Sequence, residues 1–283
     1  MLEVMRLKKI ENINECAELN NGVKIPWLGF GTYKIESGAD TIVAVKEALL
    51  MGYRHIDGAA IYGNEEGVGK GIKASGVPRE EIFLVSKVWN NEQGFESTLN
   101  AFKESTRKLE TDYLDLYMVH WPKDLTKETW RAMEQLYREG KVKAIGVCNF
   151  KIHHLKTLLE AAEIKPVINQ VEFHPYFVQT DLMNFCKEND ILIEAWAPLM
   201  QGKIFEIHEL KEIAKKNNKS VAQIVLRWDL QMGILTIPKS VQPHLIRENS
   251  QIFDFELSQE DMEKITSLDR GQRIGPDPDT IDF

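Results

Sequence analysis

The sequence predicts an α/β fold in which eight parallel strands, each followed by a helix, close into one barrel. Three observations support this prediction. Short runs rich in β-branched residues alternate with amphipathic helical stretches. The chain has 283 residues and is 43% apolar, which suits a single large barrel domain. No Pro/Gly/Ser-rich linker divides it. An open, doubly wound sheet shares the alternation and stays the alternative, because periodicity alone does not exclude it.

The elements follow in chain order. The turn Asn20-Asn21-Gly22 predicts an N-terminal β-hairpin. Eight strands are predicted to end near Gly31, Asp57, Lys87, His120, Cys148, Glu172, Ala197 and Pro238. Helices are predicted around residues 40–51, 64–75, 96–109, 127–139, 152–162, 179–189, 219–231 and 243–250. The prediction is a (β/α)8 TIM barrel over residues 15–283, with an extension at 1–14 that can be flexible and a short tail at 275–283.

Composition and charge exclude several classes of partner. The net charge is −8 and no basic run with interleaved aromatics is present, so neither nucleic acid nor an anionic membrane is expected to bind. No apolar stretch approaches the length of a membrane span, and residues 1–10 lack the pattern of a signal peptide. We expect a soluble, cytoplasmic monomer.

The cysteines and histidines do not predict a metal centre. Cys16, Cys148 and Cys186 are too few and too scattered for a disulfide framework or a paired metal site. His208-Glu209 begins the two-histidine zinc pattern, but position 212 is Glu. We therefore expect free thiols and no metal.

Four side chains at predicted strand ends form the candidate catalytic group. Asp57, Lys87 and His120 end three successive strands, and Tyr62 lies on the loop after the first of them. If the strands are parallel, these groups converge on one mouth of the barrel. A neighbouring ammonium favours phenolate, so Lys87 is expected to lower the pKa of Tyr62. Asp57 can hold the charge of Lys87, and His120 can hydrogen-bond a carbonyl oxygen. A salt bridge without catalytic role stays the alternative.

The sequence resembles the aldo-keto reductase family over nearly the whole chain after residue 15. Six stretches carry the resemblance: GYRHIDGAAIYGNE at 52–65, SKVW at 86–89, YLDLYMVHWP at 113–122, GVCNF at 146–150, NQVEFHP at 169–175 and IPKS at 237–240. AWAPLMQG at 195–202 and the GPDPD ending are most similar to the bacterial members grouped with 2,5-diketo-gluconate and glyoxal/methylglyoxal reductases. The resemblance implies a barrel that binds NADPH without a Rossmann domain and reduces aldehydes or ketones to alcohols.

The resemblance also assigns roles by position. It implies that Tyr62 donates the proton, that Lys87 and Asp57 tune the acidity of Tyr62, and that His120 orients the substrate carbonyl. The implied cofactor-binding residues are Gly31, Thr32, Asp57, Cys148, Asn149, Gln170, Trp196, Leu199, Gln201, Gly202, Lys239, Ser240, Gln242, Glu248 and Asn249. Of these, Trp196 would stack on the nicotinamide, Cys148, Asn149 and Gln170 would hold its carboxamide, and Lys239, Ser240 and Gln242 would face the adenosine ribose and 2′-phosphate. The implied substrate-binding residues are Tyr33, Trp89, His120 and Trp121.

Three positions depart from the family pattern. Cys148 replaces a serine, and a thiol is the weaker donor to a carboxamide. Gly58 replaces the usual threonine beside Asp57. Leu245 stands where many NADP-dependent members have an arginine facing the 2′-phosphate, which leaves Lys239, Ser240 and Arg247 for that group. We therefore expect a weak preference for NADPH, with NADH accepted.

Substrate range and function class are predicted less sharply. The aromatic wall suggests small carbonyl compounds, including aldehydes and α-dicarbonyls, as substrates. A regulatory module that binds nicotinamide nucleotide and turns over slowly is the alternative function, and the intact catalytic group argues against it. A barrel aldolase or isomerase using Lys87 as a Schiff base is disfavoured, because an acid and a phenol beside this lysine would keep it charged.

Overall fold

The structure, a computed structural model, describes residues 9–282. Within them, a two-stranded antiparallel hairpin precedes an eight-stranded parallel sheet whose strands lie in chain order. The strands are β1 Cys16–Glu18, β2 Lys24–Pro26, β3 Phe30–Gly31, β4 His55–Asp57, β5 Phe83–Val88, β6 Leu116–Val119, β7 Ile145–Cys148, β8 Ile168–Glu172, β9 Leu192–Trp196 and β10 Leu235–Thr236. The predicted hairpin and parallel strand order are confirmed.

The first and last strands of the sheet meet, so the sheet closes. Leu28 and Thr236 form a parallel bridge. The Gly29 amide donates to the Thr236 carbonyl at 2.9 Å, and the Gly31 amide donates to the Pro238 carbonyl at 3.1 Å. These contacts make the sheet a (β/α)8 barrel, and the doubly wound alternative is wrong because an open sheet would leave both edge strands unpaired.

Helices cover the outside of the barrel. They are α1 Ala39–Leu50, α2 Glu65–Ser75, α3 Phe95–Leu109, α4 Thr126–Arg138, α5 Ile152–Leu159, α6 Thr180–Glu188, α7 His208–Asn217, α8 Val221–Gln231, α9 Pro243–Ser250 and α10 Gln259–Thr266. The eight predicted helices are present with small shifts at their ends. Helices α7 and α10 were not predicted, and both lie outside the simple strand-helix alternation.

Local sequence explains which face of a helix is buried and where a helix begins. In α3 the buried positions are Thr98, Ala101, Phe102, Ser105 and Leu109, the spacing that places side chains on one helical face. Helix α8 begins at a capping box, in which the Ser220 side chain accepts from the Gln223 amide and the Gln223 side chain accepts in return. Helix α3 thus packs on the barrel through one buried face.

The hairpin closes the amino-terminal end of the barrel. Ala17 and Ile25 from the hairpin are buried in one apolar cluster with Leu116 and Ile168 of the barrel strands. The Asn20 side chain donates to the carbonyl of Pro166 at 3.0 Å. The opposite, carboxyl-terminal mouth is the open end, where barrel enzymes place their sites.

The two ends of the chain lie against this barrel. Residues 1–8 of the predicted extension lie outside the described residues, whereas Ile10 is buried and its carbonyl accepts from Arg227 at 2.8 Å. The domain limits predicted from the sequence stay predictions. Among residues 9–282, no helix is both long and apolar enough to cross a bilayer.

Candidate active site

Adjacent strands bring the predicted catalytic group together. Asp57 is the last residue of β4, Lys87 lies near the end of β5, and His120 directly follows β6. Tyr62 ends a short 3₁₀ turn, Ala60–Tyr62, just after β4. Because β4, β5 and β6 are neighbours and parallel, their carboxyl ends open on the same mouth.

Asp57 and Lys87 form a buried ion pair. The Lys87 Nζ lies 2.7 Å from both carboxylate oxygens of Asp57 and 2.8 Å from the Gly58 carbonyl. Burial lowers the pKa of Lys87, but the Asp57 carboxylate outweighs it and the net pKa is raised. Lys87 therefore stays an ammonium, which disfavours a Schiff-base nucleophile at this position.

The Tyr62 hydroxyl reaches this pair. Its Oη lies 3.5 Å from the Lys87 Nζ, which is a weak contact, and the Lys87 Nζ is 5.2 Å from the centre of the Tyr62 ring. Burial raises the pKa of Tyr62, and Lys87 offsets only part of this rise. The lowered pKa predicted from the sequence is wrong, because desolvation outweighs the ammonium. A phenol that keeps its proton suits a donor better than a base.

His120 and the predicted substrate residues line the mouth. The His120 ring lies 5.6 Å from Tyr62 and 5.1 Å from Trp89, both edge to face, and 6.5 Å from Trp121 in a stacked orientation. Burial, together with Lys87, holds the pKa of His120 well below its usual value, so the imidazole is neutral. Tyr33 is 54% exposed and its ring lies 5.1 Å from that of Tyr62. Tyr33 and His120 thus contact the Tyr62 ring, and Trp89 and Trp121 extend this aromatic group through His120.

Asn149 and Trp196 form one unit at the ends of β7 and β9. The Asn149 Nδ2 donates to the His120 carbonyl at 3.0 Å, and its Oδ1 accepts from the Trp196 Nε1 at 2.8 Å. Trp196 itself is partly exposed. Hydrogen bonding therefore fixes the indole while leaving ring surface available at the mouth, as a stacking platform requires.

Gln170 joins the predicted cofactor residues to the predicted catalytic group. Its Nε2 donates to Asp57 at 2.9 Å and to Glu194 at 2.6 Å, while its Oε1 lies 3.9 Å from the Cys148 thiol. Burial holds the pKa of the Cys148 thiol well above its usual value, so this cysteine is a neutral neighbour and not a thiolate.

The remaining predicted cofactor residues lie at the adjoining strand ends. Thr32 is buried and its Oγ1 donates to the Asp57 carbonyl at 2.8 Å. Met200–Glu206, a 3₁₀ segment after β9, contains Gln201 and Gly202 in left-handed conformations, and Leu199 directly precedes it. Other predicted residues follow β10 or lie on α9: Lys239, Ser240, Gln242, Glu248 and Asn249. Gly31, at the end of β3, faces this group across the barrel seam.

The residues present fit a phosphate-bearing nicotinamide cofactor. The pKa of Lys239 is lowered, first by burial and second by the nearby charge of Lys34. Neither lysine forms an ion pair with any residue between 9 and 282. An anion between two like charges relieves their repulsion. Ser240 is nearly buried beside them, and its Oγ accepts from the Gln242 amide at 3.1 Å. Sequence reasoning missed Lys34, because its proximity to Lys239 depends on barrel closure.

Glu194 is a second residue that the sequence did not reveal, and unlike Lys34 it is buried. It lies in the middle of β9, fully buried, with Oε2 on Gln170 and Oε1 3.6 Å from the His55 Nε2. Burial, and then the charge of Asp57, raises the pKa of Glu194 to about 8. A carboxyl group behind Asp57 is therefore protonated at neutral pH. The only sign of Glu194 in the sequence is one acidic residue inside an otherwise apolar strand.

We expect Glu194→Gln to stabilise the protein more at high pH than at low pH. The pKa is about 4.3 in an unfolded chain, so between that value and about 8 the unfolded carboxyl ionises while the folded one does not. Wild-type stability falls over this window, whereas glutamine does not titrate. The expected gain is about 1–3 kcal/mol at pH 8 and near zero at pH 4.5.

Urea unfolding at both pH values, with the exposed Glu188→Gln as control, measures this gain. A stability difference between Glu194→Gln and wild type that does not change with pH would contradict it.

One cluster of described side chains brings possible metal ligands together: His153, His154 and Asp279. The His154 Nδ1 accepts from the Lys151 amide at 3.2 Å, so a neutral imidazole carries its proton on Nε2, the atom that faces Asp279. The Lys151 ammonium bonds the same carboxylate at 2.6 Å. These contacts describe an ion-pair cluster, and the expectation of no metal stays a prediction.

Comparisons with known proteins agree with this geometry. The model of the aldo/keto reductase family matches residues 27–270. The chain is 57% identical over 273 residues to "Glyoxal reductase" of Bacillus subtilis, covering 96% of this chain and 99% of that protein. It is 46% identical over 266 residues to "Methylglyoxal reductase DkgA" of Salmonella typhimurium, covering 92% and 96%.

Among solved structures, a mutant of Gox0644 in complex with NADPH is 41% identical, with a TM-score of 0.91 and coverage of 95% of this chain and 99% of that one.

Proposed function

The chain belongs to the aldo/keto reductase family and is an NADPH-dependent oxidoreductase, and on this premise we propose that it reduces aldehydes, ketones and α-dicarbonyls to alcohols with Tyr62 as the proton donor. The contact between the Tyr62 hydroxyl and the buried Lys87–Asp57 pair carries the proposal. The pair gives the phenol a fixed cation beside the oxygen that becomes negative when the proton leaves.

The chain's own residues have distinct tasks in this reaction. The bound cofactor supplies the hydride that reduces the carbonyl carbon. The neutral His120 imidazole donates a hydrogen bond to the carbonyl oxygen and sets its direction. Tyr62 Oη transfers its proton to that oxygen. Lys87 stabilises the phenolate left behind, and Asp57 keeps Lys87 charged and in place.

We propose that the residues that resemble the family's cofactor pocket hold NADPH in the same order. The indole of Trp196 would stack on the nicotinamide, and Cys148, Asn149 and Gln170 would border its carboxamide. Lys239 would meet the phosphates, with Ser240 and the amino terminus of α9 beside the adenosine. The absence of an ion-pair partner for Lys239 among residues 9–282, and the bond from the Gln242 amide to Ser240 at the start of α9, support this order.

The substrate class follows from the wall of the mouth. Tyr33, Trp89, His120 and Trp121 leave an aromatic surface beside Tyr62, suited to small carbonyl compounds. Glyoxal and methylglyoxal are the first candidates to test, because they occur in the names of two relatives. A steady-state panel of aldehydes and α-dicarbonyls with NADPH tests the proposal. Turnover of several members is expected, and turnover of a single sugar or steroid alone would contradict it.

We also propose that the cofactor preference is weak. Leu245 lies on α9 and offers no charge to a 2′-phosphate, whereas the exposed Arg247 and Lys239 remain available. Leu245→Arg should raise the ratio of kcat/KM with NADPH to that with NADH by about tenfold, the effect of one charge-assisted contact. Leu245→Met is the matched control. A many-hundredfold preference in the wild type would show that other residues already supply this contact.

A module that binds nicotinamide nucleotide with slow turnover is the second candidate function. The intact catalytic group favours the enzyme, and NADPH oxidation with methylglyoxal distinguishes the two. The monomeric state, the cytoplasmic location and the limits of the single domain at 15–283 stay predictions.

A further inference from the structure

The carboxyl-terminal tail, residues 270–281, is fastened across the catalytic mouth at three places. The amides of Arg270 and Gln272 donate to the Tyr176 carbonyl at 3.2 and 3.0 Å. The amides of Ile274 and Gly275 donate to the Glu172 carboxylate. Farther along, the Lys151 ammonium pairs with Asp277 and Asp279, and the Lys123 Nζ donates to the Ile281 carbonyl at 3.0 Å. The tail therefore has a fixed path, although it contains no helix or strand.

Glu172 is the centre of the middle attachment. It ends β8 and is fully buried. Its carboxylate accepts from the amides of Ile274 and Gly275 and from the His174 Nε2 at 2.9 Å, and the Arg273 guanidinium lies 3.7 Å away. A buried carboxylate is stable only with such donors around it. These bonds hold the backbone at Gly275 against the end of the sheet.

Gly275 lies against the ring edge of Trp196. A Cβ added there would be 2.3 Å from the Trp196 Cη2, 3.1 Å from its Cζ3 and 3.1 Å from the Glu172 Oε2, so the indole is the tightest contact. The φ angle of Gly275 is outside the left-handed region, so alanine could adopt the backbone conformation and only space excludes it. The opposite side of the same indole is held by the hydrogen bond from Nε1 to Asn149. These two contacts, at Nε1 and at the Cη2–Cζ3 edge, thus limit the movement of the ring.

We propose that Gly275 and Glu172 are positioning residues that set the position of the Trp196 indole for stacking on the nicotinamide. This inference rests on the proposed function, which places the nicotinamide on Trp196. A methyl group at residue 275 would displace the ring edge by about 1 Å, and misplacements of that size can cost about 10²-fold in rate. Glu172 acts through Gly275. Its bonds hold the tail in place, so a larger residue at 275 would have to push the ring and could not itself move away.

The test measures binding of two ligands to Gly275→Ala by calorimetry. NADP⁺ contains the nicotinamide, whereas adenosine 2′,5′-bisphosphate contains only the adenosine end. The Kd for NADP⁺ should rise by about three- to tenfold, the value of one aromatic stack. The Kd for adenosine 2′,5′-bisphosphate should stay within about twofold. A general disturbance of the fold would weaken both ligands.

Two further variants separate ring position from tail attachment. Trp196→Phe keeps an aromatic face but removes the ring edge that Gly275 contacts, so Gly275→Ala in that background should change NADP⁺ affinity by less than about twofold. Lys151→Met releases the tail at Asp277 and Asp279 without touching Gly275, and should leave NADP⁺ affinity unchanged. If Gly275→Ala does not fold, Glu172→Gln takes its place, with a loss again confined to NADP⁺.

The outcomes distinguish this inference from the proposed function. Gly275→Ala that binds NADP⁺ as tightly as wild type, equal losses for both ligands, or an equal loss in the Trp196→Phe background would each overturn the positioning role. Wild-type protein that binds neither ligand would overturn the proposed function itself, and the positioning role with it.

Discussion

Tyr62→Phe is expected to lower kcat/KM for carbonyl reduction by about 10²- to 10⁴-fold, the usual range for loss of a general acid. The change removes one hydroxyl and keeps the ring. The ring contacts of Tyr62 with Tyr33 and His120 are then retained, while the oxygen beside Lys87 is lost. The Kd for NADP⁺ should stay within about twofold, because no predicted cofactor contact involves this hydroxyl.

The neighbouring tyrosine provides a matched control. Tyr33 is exposed, and its ring packs on that of Tyr62. Tyr33→Phe also removes one hydroxyl at the mouth but should keep kcat/KM within about threefold of wild type. Residual activity of Tyr62→Phe within about tenfold of wild type would reject Tyr62 as the proton donor.

Lys87→Met is expected to damage both activity and stability. The substitution leaves the Asp57 carboxylate buried without its cation, which costs about 3–5 kcal/mol in other proteins. It also removes the positive charge that stabilises the Tyr62 phenolate, so kcat should fall by about 10²-fold or more. Denaturant unfolding and steady-state kinetics measure the two effects separately.

The double variant Lys87→Met/Asp57→Asn separates the effect of Lys87 on stability from its effect on activity. Removing both charges should recover most of the lost stability, because no buried ion is left unpaired. It should not recover activity, because the cation beside Tyr62 is still missing. Recovery of both together would mean that Lys87 serves the fold alone and takes no part in proton transfer.

The barrel and the convergence of the candidate catalytic residues were predictable because both depend on chain order. Strand ends can be read from local apolar runs, and parallel pairing then places Asp57, Lys87 and His120 at one mouth. Helices α7 and α10 were missed because they lie outside the strand-helix alternation. In α10 only Asp261, Met262 and Ile265 are buried, which leaves a weak apolar pattern.

What the sequence could not reveal depends on burial and on long-range contact. Desolvation reverses the expected direction of the pKa shift of Tyr62, and its size depends on packing that no local pattern records. Glu194 is an ordinary residue in the sequence and gains its raised pKa only when β9 faces Asp57 inside the barrel. The need for glycine at position 275 arises from Trp196, which lies far away along the chain.

Chemical rescue of Tyr62→Ala distinguishes a phenol that donates a proton from a ring that only fills space. The variant removes the phenol ring, and phenol added to the solution can occupy the space beside Lys87. Phenol should restore saturable reduction of methylglyoxal, with a rate that changes with the acidity of substituted phenols, because a general acid follows Brønsted behaviour. Anisole fills the same space but has no proton to donate, and should restore nothing. Equal rescue by anisole would contradict the account, because Tyr62 would then serve only to fill the mouth.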